Sequence, residues 1–319
     1  MKERDVRAPR QPLSFVAQLA GVVFALTLSG CAVQTPRLLA EPPNDLPRRV
    51  ELARTPFFPQ QAYQCGPAAL ATVLSAAGLP TGPQTLVDQV FLPAREGSLQ
   101  LEMLAASRRQ GAVATRVPGS LAALLRETAA GNPVVVLQNL GLSWVPVWHY
   151  AVVIGYDLDE GNFVLRSGTT ARLEIAFSTF EHTWDRSQRW GFVSLPPGKL
   201  PETASEDEAT RALVAFERNA PPTAAARAYA AGHERWPDNP VLAIGLGNAR
   251  YATGDLGGAE QAVRAAADRH ASAAAFNNLA RVLLELGRRD EARQAAQQAV
   301  QIGGPLRETA LATLRAVEQ

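Results

Sequence analysis

Gln60-Gln61-Ala62-Tyr63-Gln64-Cys65-Gly66-Pro67-Ala68-Ala69-Leu70 is the stretch from which the rest of the chain is ordered. It ends in an apolar run. Ala69, Leu70, Val73, Leu74 and Ala77 fall on one face at helical spacing, which predicts a helix over Gly66–Ala77. Gly78 and Pro80 stop it. Cys65 therefore stands at a helix N-terminus. Unpaired N–H groups and positive partial charge favour a thiolate there. Gly66 lets a second backbone come close, and a glutamine just upstream can donate to an oxyanion. Alone, this pattern fits a buried structural cysteine equally well.

The second stretch is Trp148-His149-Tyr150-Ala151-Val152-Val153-Ile154-Gly155-Tyr156-Asp157, about 80 residues further on. It puts a histidine at the head of an apolar strand, from which an imidazole can reach a helix N-terminus packed across a sheet. Between the two, helices are predicted over Leu99–Gln110 and Leu121–Ala130, the latter capped by Ser120. Strands are predicted over Val134–Gln138 and Tyr150–Tyr156, with a turn at Asp157–Asn162 and a return strand at Phe163–Arg166. Helices come first and strands second, an α+β order.

Residues 57–170 resemble the C39 peptidase family, the papain-like domains that trim leader peptides after a double glycine. The resemblance rests on Cys65-Gly66-Pro67-Ala68-Ala69-Leu70, on Arg109-Gln110-Gly111, on the Ser120 helix, on Pro133-Val134-Val135-Val136 and on the His149 strand. It implies that Cys65 is a nucleophile and His149 its general base. It also implies an oxyanion glutamine; Gln60 is the first choice, with Gln61 and Gln64 as rivals, because the usual position, six before the cysteine, is Pro59. The family's aspartate after the return strand is missing, since the chain reads Leu165-Arg166-Ser167-Gly168. Ser167 or a backbone carbonyl is left to orient the imidazole. No Walker-type glycine loop appears in residues 199–319, so the exporter context of that family, and ATP with it, is not implied.

The N-terminus reads as an address. Lys2, Arg4, Arg7 and Arg10 precede an apolar run from Leu13 to Leu28, short for a membrane span of about 20 apolar residues. Leu28-Ser29-Gly30-Cys31 resembles a lipobox, which makes residues 1–30 a lipoprotein signal peptide and Cys31 the acylated residue. Ala32 in place of aspartate favours the outer membrane, with the chain facing the periplasm. Residues 31–56, with Pro36, Pro42, Pro43 and Pro47, read as an extended tether.

After a linker at 198–207 the composition turns alanine-rich. Leu246-Gly247-Asn248 to Gly254 matches Leu279-Ala280-Arg281 to Gly287 at a period of 33, and Ala259, Ala262 and Ala266 match Ala292, Ala295 and Ala299. This resembles the tetratricopeptide repeat. A degenerate third copy around 208–240 ends in Asp238-Asn239-Pro240.

The expected fold is thus an α+β papain-like cysteine peptidase domain (57–197) followed by an all-α tetratricopeptide-repeat domain (208–319). Apolar residues at 47% supply cores for two domains, and a net charge of +1 without a basic stripe does not indicate nucleic-acid binding. The two cysteines form no metal-ligand spacing, and no cofactor is called. The expected partners are a peptide or protein substrate, a protein on the repeats, and the membrane through the anchor. Three functions fit: a peptidase, an inactive C39-like binding or assembly factor of the cell envelope, and an acyltransferase or transglutaminase-like activity using the same pair. His182 reads as packing in an aromatic cluster with Trp190; Trp144 and Trp148 read as cleft walls or core caps; His233 and His270 read as solvated.

Overall fold

The β-branched run Val134-Val135-Val136 opens β5 (Val134–Asn139), buried along its whole length. It pairs antiparallel with β6 (Trp148–Asp157), Gln138 opposite His149. These strands are central in a sheet of order β4-β9-β5-β6-β7-β8, where β4 is Val113–Arg116, β7 Asn162–Ser167, β8 Thr170–Ala176 and β9 Gly191–Leu195. A short strand, β1 (Arg49–Glu51), adds to the far end of β6. It lies so close that a Cβ on Gly155 would sit 2.6 Å from the Val50 carbonyl oxygen. The computed structural model describes residues 33–60 and 64–319; Cys31, the signal peptide and Gln61 lie outside them.

Both faces of the sheet are covered. Alternation along β6 sends Tyr150, Val152 and Ile154 into one core, against the helix Cys65–Ala76 (α2) and the helices Pro83–Val90 (α3) and Gln100–Arg109 (α4). Ala151 and Val153 face the other core, with the helices Leu121–Ala129 (α5) and Phe177–Asp185 (α6). The sequence reading missed α3, α6, β4, β8 and β9. The Oγ of Ser120 accepts from the Ala123 N–H at 3.2 Å, as a cap should.

The tether expectation is corrected. The described part of 31–56 is folded against the domain. Residues Gln34–Ala40 form a helix (α1) whose Leu38 is buried in the second core. The Glu181 carboxylate, 1% exposed, accepts from the Gln34 and Thr35 N–H groups at 2.8 Å and from Thr35 Oγ1 at 2.7 Å. Pro36 is compatible because it sits in the first turn, where N–H groups need no helical acceptor.

The linker is likewise docked. The buried Glu127 carboxylate accepts from Thr203 N–H at 2.7 Å and Thr203 Oγ1 at 2.6 Å. The helical region then runs as antiparallel pairs: Glu206–Glu217 (α7) with Pro222–Arg235 (α8), Pro240–Ala252 (α9) with Leu256–His270 (α10), and Ala273–Glu285 (α11) with Arg289–Ile302 (α12). A last helix, Arg307–Glu318 (α13), follows. Gly254 and Gly287 both carry positive φ, 81° and 75°, at the turns inside the second and third pairs. The period-33 alanines are all buried between helices. Leu213 and Phe216 of α7 share a core with Val113 of β4, so the repeats begin on the sheet domain.

Candidate active site

Cys65 is the first residue of α2, half-buried. Pro67 has no N–H to offer, and the first helical hydrogen bond is Ala68 N–H to the Gln64 carbonyl at 3.3 Å. A close contact explains Gly66. A Cβ there would lie 2.2 Å from Ser98 Oγ and 2.6 Å from Ser98 Cβ. Glycine therefore lets the hairpin of β2 (Phe91–Leu92) and β3 (Gly97–Ser98) close over the start of α2. Tyr150 OH fixes the hairpin by donating to the Ser98 carbonyl at 3.1 Å.

His149 stands near the head of β6, half-buried, with its Nε2 2.8 Å from Ser167 Oγ. Ser167 ends β7 beyond a bulge, and the adjoining Gly168 carbonyl accepts the Gln60 N–H at 3.1 Å. One turn thus positions both Ser167 and Gln60. Gln60, Cys65 and His149 line a single cleft of about 910 Å³. Gln64 precedes α2 and is not among the lining residues. No hydrogen bond joins Cys65 to His149 among the described residues, and no carboxylate contacts the imidazole.

Burial pushes the Cys65 thiol above its ordinary range, outweighing the N–H groups of Tyr150, Gly66 and Cys65 itself, which pull the other way. The helix N-terminus therefore does not produce the lowered thiol that its position in the sequence suggests. Burial also holds the His149 imidazole below its usual range. At neutral pH the resting pair is a thiol beside a neutral imidazole. If Nε2 carries the proton and donates it to Ser167, the unprotonated Nδ1 is left as the proton acceptor.

The sequence reading missed two lips of the cleft. One is the β2–β3 turn, with Arg95, Glu96 and Ser98; the other is the segment Arg186 to Gln188 after α6. Glu96 and Gln188 each hold positive φ, 46° and 56°, a conformation that costs a non-glycine residue about 1 kcal/mol. Nothing in their local sequence marks them. His182 is exposed on α6, away from the cleft lining, whereas Trp184 and Trp190 are the buried pair, Trp184 Nε1 donating to the Trp190 carbonyl at 2.9 Å. Trp144 and Trp148 cap no core, being 77% and 52% exposed; Trp148 lines the cleft.

Residues 52–191 match the family described as Peptidase_C39 like. The sheet domain has a C39-like fold. Among solved structures, a protein of Bacillus anthracis described as a C39-like peptidase is 18% identical, with a TM-score of 0.41 over 48% of this chain and 100% of its own. A double-glycine-motif protease from an AMS/PCAT transporter, in complex with a leader peptide, is 19% identical with a TM-score of 0.35, over 45% and 93%. The Yersinia enterocolitica type III secretion chaperone SycD, in complex with a peptide of YopD, is 17% identical with a TM-score of 0.34, over 37% and 96%. No curated protein matches the chain. The C39-like domain is followed by a helical region resembling tetratricopeptide repeats, and the C39-like fold supports a peptidase or a related binding role.

Proposed function

We propose that the protein is a cysteine peptidase, lipid-anchored through Cys31 on the periplasmic face of the outer membrane. The observation that carries the catalytic reading is the contact of His149 Nε2 with Ser167 Oγ in the cleft that also holds Cys65. Nδ1 takes the Cys65 proton as sulfur adds to a peptide carbonyl. The imidazolium so formed returns the proton to the leaving amine, and water then hydrolyses the thioester. The Cys65 and Gly66 N–H groups with the Gln60 side chain are the donors for the oxyanion. The thiol proton passes to the imidazole only as sulfur attacks, because burial favours both neutral forms beforehand.

That same neutrality favours a second reading, a C39-like module that binds peptides in the envelope without cutting them. One experiment divides the two. Wild type, Cys65→Ala and His149→Ala are incubated with a mixture of unfolded periplasmic proteins, and new termini are counted by mass spectrometry. Iodoacetamide alkylation of Cys65 is timed in parallel. Peptidase activity gives termini that both substitutions remove, and slower alkylation in His149→Ala at neutral pH. An absence of new termini, with alkylation indifferent to His149, leaves the binding module.

A further inference from the structure

The connection from β5 to β6 carries Leu140, Leu142, Trp144, Val145, Val147 and Trp148, each between 50% and 77% exposed. Contiguous apolar exposure of this kind marks a surface that something covers. The loop is rigidly built. Asn139 Oδ1 accepts from the Gly141 N–H at 3.0 Å and the Val147 N–H at 2.8 Å, and Arg186 donates to the Gly141 carbonyl at 2.6 Å. Leu142 and Val145 close the tip by mutual backbone hydrogen bonds. A Cβ on Gly141 would strike the Val145 oxygen at 2.3 Å. The loop backbone is thus held in one shape while its apolar side chains stay exposed.

Two observations choose the occupant. First, a peptide in the cleft would cover Pro146, Val147 and Trp148, which line it, but not the tip with Leu142, Trp144 and Val145, which does not. Second, the N-terminus leaves the domain at the same end. Gln34 Oε1 accepts the Leu121 N–H at 2.9 Å, at the start of α5. The connection into α5 leaves β4 beside Gly191, and Gly191 pairs with Val136 of β5. The other end of α1 lies at the opposite end of the strands, where Leu39 packs on Gly161 in the β6–β7 turn. So α1 begins at the end of the sheet from which the loop projects. Cys31 lies three residues before Gln34, within roughly 11 Å even of fully extended chain.

We infer that the Leu140–Trp148 loop is a membrane ledge, seated in the headgroup region of the bilayer that holds the Cys31 acyl chains, so that the cleft opens at the lipid surface. This rests on the anchor proposed above. Exposed tryptophans flanked by leucine and valine suit that depth, where an apolar ring meets a wet boundary. The substrates within reach are then segments of proteins lying at or emerging from the bilayer.

The test uses the full chain expressed with its own N-terminus and reconstituted into vesicles of phosphatidylethanolamine and phosphatidylglycerol, with plain or brominated acyl chains. Mass spectrometry first reports whether Cys31 is acylated. Brominated lipid is expected to remove about a third of the emission, as two of five tryptophans would lie at interfacial depth. Trp144→Phe/Trp148→Phe, checked for an unchanged circular dichroism spectrum, should abolish that loss. Acylated protein whose emission is equal in both vesicles overturns the ledge and leaves the anchor standing. Quenching by a brominated apolar peptide but not by lipid also overturns it, in favour of a substrate subsite. If Cys31 carries no acyl group, the anchor fails. The ledge then survives only if the chain still floats with vesicles through Trp144 and Trp148, and loss of flotation overturns it too.

Discussion

His149 Nε2 and Ser167 Oγ are 2.8 Å apart, and the hydroxyl occupies the place where a carboxylate would be expected to hold the ring. A hydroxyl holds the ring in place, but as both donor and acceptor it does not select the tautomer as a carboxylate does, and it brings no charge to stabilise an imidazolium. Ser167→Ala should therefore slow Cys65 alkylation at neutral pH by about fivefold, the equivalent of one ordinary hydrogen bond near 1 kcal/mol. Ser167→Asp should raise the His149 pKa and speed peptide cleavage, by up to about 10⁴ if the carboxylate is fully used. NMR titration of the imidazole and alkylation rates check both. Faster alkylation in Ser167→Ala would show that the serine restrains the ring in an unproductive position.

The pH dependence follows from the two burial shifts. The folded thiol pKa lies above its unfolded value of about 8.5, so the stability due to the neutral thiol is complete below that value. It is lost as pH rises toward the folded pKa, because the unfolded chain ionises first. The folded imidazole pKa is lowered, so its contribution is present above about 6.5 and is lost as pH falls. Urea melts should show wild type losing stability relative to Cys65→Ala above pH 8.5, and relative to His149→Gln below pH 6.5.

Glu181 holds α1 on the sheet domain. Glu181→Ala leaves the Gln34 and Thr35 N–H groups and Thr35 Oγ1 without their acceptor, at about 1–3 kcal/mol for a buried group so stranded. The expected result is a loss of about 2–4 kcal/mol in urea, with new trypsin cleavage after Arg37. Intact protection at Arg37 would show that Leu38 alone suffices to dock the helix.

Two repeat glycines should respond in opposite directions to alanine. At Gly247 a Cβ would lie 2.3 Å from Val263 Cγ1 between packed helices, and valine is stiff, so Gly247→Ala should destabilise despite its better helix propensity. At Gly257 nothing lies within 4 Å, and Gly257→Ala should stabilise by about 0.4–1 kcal/mol. Thermal melts of the full chain decide it.

The strongly periodic elements were legible. The α2 helix and strands β5, β6 and β7 stand within one or two residues of their sequence-based bounds, because one-sided or continuous apolar runs leave little choice of period. The missed strands gave a weaker signal: β4 has only four residues, and β8 is a mostly exposed edge strand with two large apolar residues, Leu173 and Ile175. Four prolines made 31–56 look extended, whereas its docking depends on Glu181, about 150 residues away, which no local pattern announces. Cys65, His149 and Ser167 could be named from sequence motifs, but the sign of the thiol shift could not. It depends on burial of the sulfur in the folded domain outweighing the N–H groups around it, a three-dimensional fact.

The seating of α7 on β4 has a consequence for how the polypeptide is made. A helical array normally needs a specialised end piece, because its first repeat has no neighbour to cover its apolar side. Here the sheet domain is that end piece, since Val113 lies among Leu213, Phe216 and Tyr229. The chain reaches its folding compartment N-terminus first, so the sheet domain can complete before the first repeat helix emerges. Each later hairpin then lays itself on a finished surface, and the array is templated outward from the sheet, one repeat at a time.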